Sequence, residues 1–251
     1  MNNAERYHFS DFTRNNYRLI LSLAKEKYAF CNYQDFRGYV GNIILLRHDI
    51  DVSLHAAKKM AQIEAEAGVK ATYFVLLHSE FYNLLENEIT DCLREILDLG
   101  HHLGLHFDCK YYKIKNEEEL SSLLCWECGI LEEIFDRKIG VFSFHNPTPE
   151  ILKYGHFQYS GLINTYAEYF RKEIYYCSDS NGYWRFQRLE DILRKAEAER
   201  LQILIHPEMW QETVMSPKER IYRCIEGRAE KAKSVYEKML RESNRENVDW
   251  E

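Results

Sequence analysis

A chain of 251 residues with 45% hydrophobic content is long enough for one sizeable core, and its four prolines and eleven glycines are scattered with no linker, repeat or low-complexity run. One domain spanning residues 1–251 is the simplest reading. The formal charge of −7 argues against a nucleic-acid footprint, which needs a concentrated basic face, and no stretch approaches a membrane span.

Taken in order, the first eleven residues are polar and lack the apolar core of a signal peptide, so a cytoplasmic location is expected. Residues 11–27 carry Phe12, Leu19, Ile20, Leu23 and Ala24 as a helical stripe, the basis of an N-terminal helical cap within residues 1–42. Residues 28–31 read as a short strand. Four branched apolar residues from Ile43 to Leu46 open a strand covered on both faces, which runs into Arg47, His48, Asp49, Ile50 and Asp51. Residues 53–67 place Ala57, Met60, Ala61 and Glu64 at helix spacing and end on Gly68, a favourable residue just past a helix. Residues 70–77 are a strand rich in β-branched and aromatic side chains, which completes a β-α-β unit and hence a parallel pair. The alternation continues with a helix over 89–99, a strand over 101–106, a helix over 117–135 and a strand over 140–144. Strands near 160–163 and 174–177 follow, then a helix over 189–200, a strand over 201–205 and a long amphipathic helix over 217–243. The fold class is therefore α/β, a (β/α) barrel with seven strands expected. The seven cysteines are odd in number and unordered in spacing, which fits reduced thiols. Cys125 and Cys128 form a lone CxxC inside a predicted helix and read as core or half-buried side chains, not a redox or zinc pair.

The polar residues fall at strand exits, where barrels of this kind carry their active groups. Side chains i and i+2 of a strand share a face about 7 Å apart, so Asp49 and Asp51 project together while His48 and Ile50 point the other way. Two carboxylates on one side repel unless a cation or a proton sits between them. Capping the next helix needs only one acid. His106, His145 and His206 stand at three further strand exits, the last two followed by Pro147 and Pro207. His102 and His106 would chelate one ion on a helix, but on a strand they lie about 13 Å apart, so His106 is the candidate ligand. His101 and His102 then pack at the entry side.

From about Asn42 to Trp210 the chain resembles the polysaccharide deacetylases, the NodB-homology group or carbohydrate esterase family 4, in a divergent branch whose first motif reads Arg-His-Asp-x-Asp. The blocks that carry the resemblance run over residues 46–51, 71–74, 100–106, 142–147, 178–182 and 204–207, and their order and spacing together are specific. The resemblance implies a deformed (β/α) barrel and a divalent metal used to remove acetyl groups from carbohydrate; a set of two histidines and one carboxylate suits zinc, with cobalt, nickel or iron as other occupants. Carried over by position, Asp49 matches the catalytic base, Asp51 and His106 the first two metal ligands, and His206 the general acid. Asp179 is expected to orient His206 or Asp49, unless it only shapes a turn before Gly182. Two positions depart from the family. Lys110 stands where the second metal histidine usually lies, and His145 stands where an arginine usually holds the base, so the third ligand is either His145 or Asp108. Tyr73, Trp184 and Trp210 offer faces for a sugar ring. The function expected is hydrolysis of an acetamido sugar or related precursor; the alternative is a silent carbohydrate-binding barrel whose metal is lost through Lys110.

Overall fold

The computed structural model describes residues 1–243, 248 and 249. In chain order they form α1 (Asn3–Arg6), α2 (Arg14–Lys25), β1 (Ala29–Phe30), β2 (Ile43–Ile50), α3 (Leu54–Glu66), β3 (Thr72–Val75), α4 (Asn87–Asp98), β4 (His102–Phe107), α5 (Cys109–Tyr112) and α6 (Glu117–Phe135). Then come β5 (Val141–Phe144), β6 (Gln158–Tyr159), β7 (Leu162–Asn164), α7 (Glu168–Glu173), β8 (Tyr175–Ser178), α8 (Leu189–Lys195), β9 (Arg200–Ile205) and α9 (Pro217–Glu242). Among the described residues no helix is long and apolar enough to cross a membrane.

The nine strands join in one sheet ordered β6-β7-β5-β4-β3-β2-β9-β8, with β1 beside the start of β2. Seven of them, β2 to β5 and β7 to β9, form the parallel barrel wall that the alternation predicted. The two extra strands are two-residue flanks: β1 is parallel to β2, and β6 is antiparallel to β7. The sequence suggested one strand beginning at residue 160. Instead Ser160 and Gly161 both take positive φ and turn the chain back on itself, the geometry of a two-residue hairpin. Likewise α8 stops at Lys195 because Ala196 takes a left-handed φ of 50°, not at residue 200.

The sheet is curled. In a flat sheet β7 would lie about 19 Å from β2, four strand spacings away, yet Thr165, just after β7, accepts a hydrogen bond from Arg47 Nη1 at 2.7 Å. The seam between β7 and β8 has no strand pairing; there Phe170 of α7 inserts into the interior beside Tyr33 and Phe36.

The strand period of two sorts β2 between two cores. Ile43 and Leu45 point into the barrel with Phe74, Val141 and Ile163; Ile44, Leu46 and Ile50 point outward into the larger core beneath the helices. All eight residues of β2 are buried. Gly104 belongs to the inward row of β4, where a Cβ would stand 2.5 Å from the Phe74 ring. Glycine is thus required there by packing.

His48, on the outward row, meets the fully buried Glu64 of α3 at 2.5 Å. Tyr17 of α2 and Tyr73 of β3 donate to the same carboxylate, and His101 Nδ1 lies 3.6 Å away. Tyr73 stacks on His48 with ring centroids 4.4 Å apart. It is therefore a buried strut of the outer layer and offers no face to a sugar. Trp210 is equally buried, and Trp184 donates to Asp11 at 2.9 Å while packing on Phe12, so both tryptophans also serve the core. All seven cysteines are free; Cys128 is buried and Cys125 exposed.

Candidate active site

The inward rows of β2 and β5 are apolar at their starts, with Ile43, Leu45 and Val141, and polar at their exits, while β4 and β9 add His106 and Gln202 to the same interior. Arg47, Asp49, His106, Ser143 and Gln202 are buried there, under the mouth of a cavity of about 1090 Å³. Asp51, His145 and His206 follow the last residues of β2, β5 and β9 and line the same cavity. Asp179, just after β8, sits beneath His206.

Three ligand-capable atoms converge at the mouth. His106 Nε2 lies 3.2 Å from Asp51 Oδ1, His145 Nδ1 lies 3.3 Å from the same oxygen, and the two ring nitrogens are 3.2 Å apart. Tetrahedral zinc with ligand distances near 2.0–2.2 Å requires ligand atoms about 3.3 Å from one another, so this near-equilateral triangle has the dimensions of one tetrahedral face. The surroundings also prepare lone pairs. His106 Nδ1 is 2.7 Å from Ser143 Oγ; donation to that hydroxyl leaves Nε2 unprotonated. The Asn146 amide lies 2.9 Å from His145 Nε2, and with its oxygen turned to the ring it accepts that N–H and frees Nδ1. Asp51 Oδ1 is buried with no hydrogen-bond partner. Unprotonated acceptors this close repel one another, and a cation relieves that repulsion. The donor set therefore fits a divalent metal.

Asp108, the other candidate for third ligand, is committed elsewhere: its side chain accepts from the backbone N–H groups of Lys110 and Tyr111 and caps α5. Lys110 is exposed and does not line the cavity. The expectation that its ammonium repels a metal is thereby corrected, because α5 turns the chain away after Phe107 and points that side chain to solvent.

Arg47 is the residue that sequence reasoning missed. Its Nε lies 3.2 Å from Asp49 Oδ1 and its Nη2 2.6 Å from Oδ2, a bidentate pair with both partners buried. Burial alone would raise the pKa of Asp49; the Arg47 guanidinium beside it outweighs that and holds the carboxyl below its ordinary range. The arginine expected at the position of His145 is thus supplied two residues upstream of Asp49 on the same strand. The signal was legible as spacing, since positions 47, 49 and 51 share one face.

Across the triangle, His206 Nε2 lies 3.8 Å from Asp51 Oδ2, and Nδ1 lies 2.7 Å from Asp179 Oδ1. Burial would lower the pKa of His206, but Asp179, with Asp51 and Glu208 beyond it, raises it to about 10. Trp210 Nε1 donates to Asp179 at 2.9 Å, and the His206 backbone N–H donates to both of its oxygens. Asp179 therefore orients His206 and does more than shape a turn. Glu208 also lines the cavity; burial and Asp51 push its carboxyl up to about 8. Phe81, Phe144, Tyr166, Tyr176 and Phe186 complete the walls as the aromatic faces that the sequence sought in Tyr73, Trp184 and Trp210.

No family model and no curated protein matches the chain. Among solved structures it is similar to a mutant of a peptidoglycan deacetylase from Bacillus subtilis, 13% identical over 81% of this chain and 97% of that one, with a TM-score of 0.45. It is also similar to a chitin deacetylase from Colletotrichum lindemuthianum, 14% identical over 74% and 81% of the two chains, with a TM-score of 0.44. A pseudoenzyme of carbohydrate esterase family 4 from Bacillus anthracis is 13% identical over 74% and 61%, with a TM-score of 0.41.

Proposed function

We propose that this chain is a metal-dependent hydrolase that removes an acetyl group from an acetamido sugar or related carbohydrate. The observation that carries the reading is the triangle of Asp51 Oδ1, His106 Nε2 and His145 Nδ1, with edges of 3.2–3.3 Å, flanked on one side by Asp49 in its ion pair with Arg47 and on the other by His206. Two imidazoles and one carboxylate suit zinc, in a site that keeps a position open. Asp51, His106 and His145 would hold a divalent ion, which would supply Lewis-acid polarisation of the acetyl carbonyl and a lowered pKa of water.

The chain's own residues supply the proton traffic. Asp49, held in place by Arg47 and 3.7 Å from His106 Nε2, accepts a proton from the attacking water. His206 carries its proton on Nε2, because Nδ1 donates to Asp179, and it gives that proton to the departing nitrogen so that the amine leaves. Asp179 keeps the ring oriented for this transfer. The cavity volume of about 1090 Å³ accommodates more than one sugar ring, and the aromatic walls present apolar faces for ring stacking.

The first measurement is elemental analysis of the purified protein and of His106→Ala. About one equivalent of zinc or a similar ion, lost in the variant, is expected. Acetate release from N-acetylated sugars, abolished by Asp49→Asn while the metal is retained, then tests the reaction. Sugar binding without metal or acetate release, even with added zinc, would instead establish the silent binding barrel.

A further inference from the structure

A second cavity, of about 300 Å³, lies between the start of α3 and the face of α9 that carries Arg223, Cys224, Gly227 and Arg228, and it shares Val52 and Phe81 with the wall of the candidate active site. The two differ sharply in charge. The active-site cavity is lined by four carboxylates, Asp49, Asp51, Glu80 and Glu208, against two cations, Arg171 and Arg185, whereas the smaller one is lined by Arg14, Lys59, Arg223, Arg228 and Lys231 and by no carboxylate.

Three of the five cations have acidic partners around the rim. Arg14 meets Glu212 at 3.0 Å, Lys231 meets Glu88 at 3.1 Å, and Arg228 is held by Glu86. Among the described residues Lys59 and Arg223 form no ion pair, and Arg223 donates only to the neutral Gln211 amide at 2.7 Å. Arg14 Nε is buried without a hydrogen-bond partner. The 13-residue helix α3 begins at this cavity with Ser53, Leu54 and His55 in its wall, so its positive dipole end adds to the field. Groups around His55 report the same sign. Its pKa is lowered by burial, and the cations Lys58, Arg228 and Lys231 add to that against Glu88.

We infer that this cavity is an anion site for a phosphate group, with Lys59 and Arg223 as the cations left for the ligand and the start of α3 as its backbone floor. Planar guanidinium forks and a compact ammonium match tetrahedral phosphate oxygens, and a space of this size takes a phosphate or diphosphate group. The site does not depend on the metal triangle. The phosphate belongs either to a free anion or to a substrate whose acetylated ring lies in the adjoining cavity; this second source rests on the deacetylase reading, and the anion site itself does not.

The test is titration calorimetry of the full chain with inorganic phosphate, in chloride buffer. Saturable binding is expected, about tenfold or more weaker in the double variant Lys59→Gln/Arg223→Gln and unchanged in His106→Ala. Circular dichroism melts of each variant check that both still fold. An N-acetylhexosamine 1-phosphate that displaces inorganic phosphate, where the unphosphorylated sugar does not, assigns the group to a substrate; failure of both to displace it assigns a free anion. No saturable binding to the wild type, equal binding by the double variant, or binding lost with His106→Ala overturns the inference. The last outcome would place the phosphate at the metal and leave the deacetylase reading standing.

Discussion

At the scale of single residues, the site turns on charges that burial would suppress and that neighbours restore. Arg47 and Asp49 are both buried and satisfy one another. Removing one partner of such a pair leaves an uncompensated charge, which typically costs about 3–5 kcal/mol. Arg47→Met is therefore expected to lower the unfolding free energy by about that amount in urea melts and to raise the pKa of Asp49, with loss of turnover. His206 works in the opposite sense: its pKa is raised to about 10, chiefly by Asp179 against the effect of burial. An acid that must be protonated is active below its pKa. In Asp179→Asn the imidazole loses that support, so the alkaline limb of the kcat profile should move to lower pH, while metal content stays at the wild-type level. An unmoved limb would remove His206 as the acid.

At the scale of elements, helix α3 is fastened to the sheet by one buried carboxylate. Glu64 is reached by Tyr17 from α2, His48 from β2 and Tyr73 from β3, which ties α2, α3 and β3 to the strand that carries Asp49. Burial would raise the pKa of Glu64, and His48, His101 and the Tyr17 hydroxyl outweigh it and lower it from 4.5. A depressed folded pKa means that this stabilisation is present above the unfolded value and is lost as pH falls through the folded one. Wild type should therefore lose more stability than Glu64→Gln between pH 5 and pH 3, compared by denaturant midpoint, although the variant starts lower at pH 7. Gly104 makes the complementary prediction on β4. Gly104→Ala places its Cβ against Phe74, and overpacking of this kind costs about 1–3 kcal/mol, read as a lower Tm with the metal ligands untouched.

At the scale of the whole molecule, closure of the sheet brings together groups that are far apart in the chain, and a ligand bound at that closure should stabilise all of it. A metal that binds only the folded state at about a hundredfold over its Kd adds about 2.7 kcal/mol. Zinc is thus expected to raise the Tm of the chelator-treated wild type by several degrees and to leave that of His145→Ala nearly unchanged. Local order was largely legible before folding. The apolar run Ile43 to Leu46, the helix period over Glu117–Phe135 and the histidines before Pro147 and Pro207 are patterns of neighbours, and strand and helix periods are set by backbone geometry alone. The same reasoning put Asp49 and Asp51 on one face, and it would have added Arg47 had the period been followed two residues upstream. It could not distinguish His145 from Asp108 as third ligand, because that choice depends on α5 capturing Asp108 as its cap and on β5 lying beside β4. Nor could it show that Tyr73 faces the helices or that Lys110 faces solvent, since both depend on how the sheet curls and where the chain turns. Short-range periodicity decided the elements and the rows of side chains; through-space packing alone decided which ends of those rows meet.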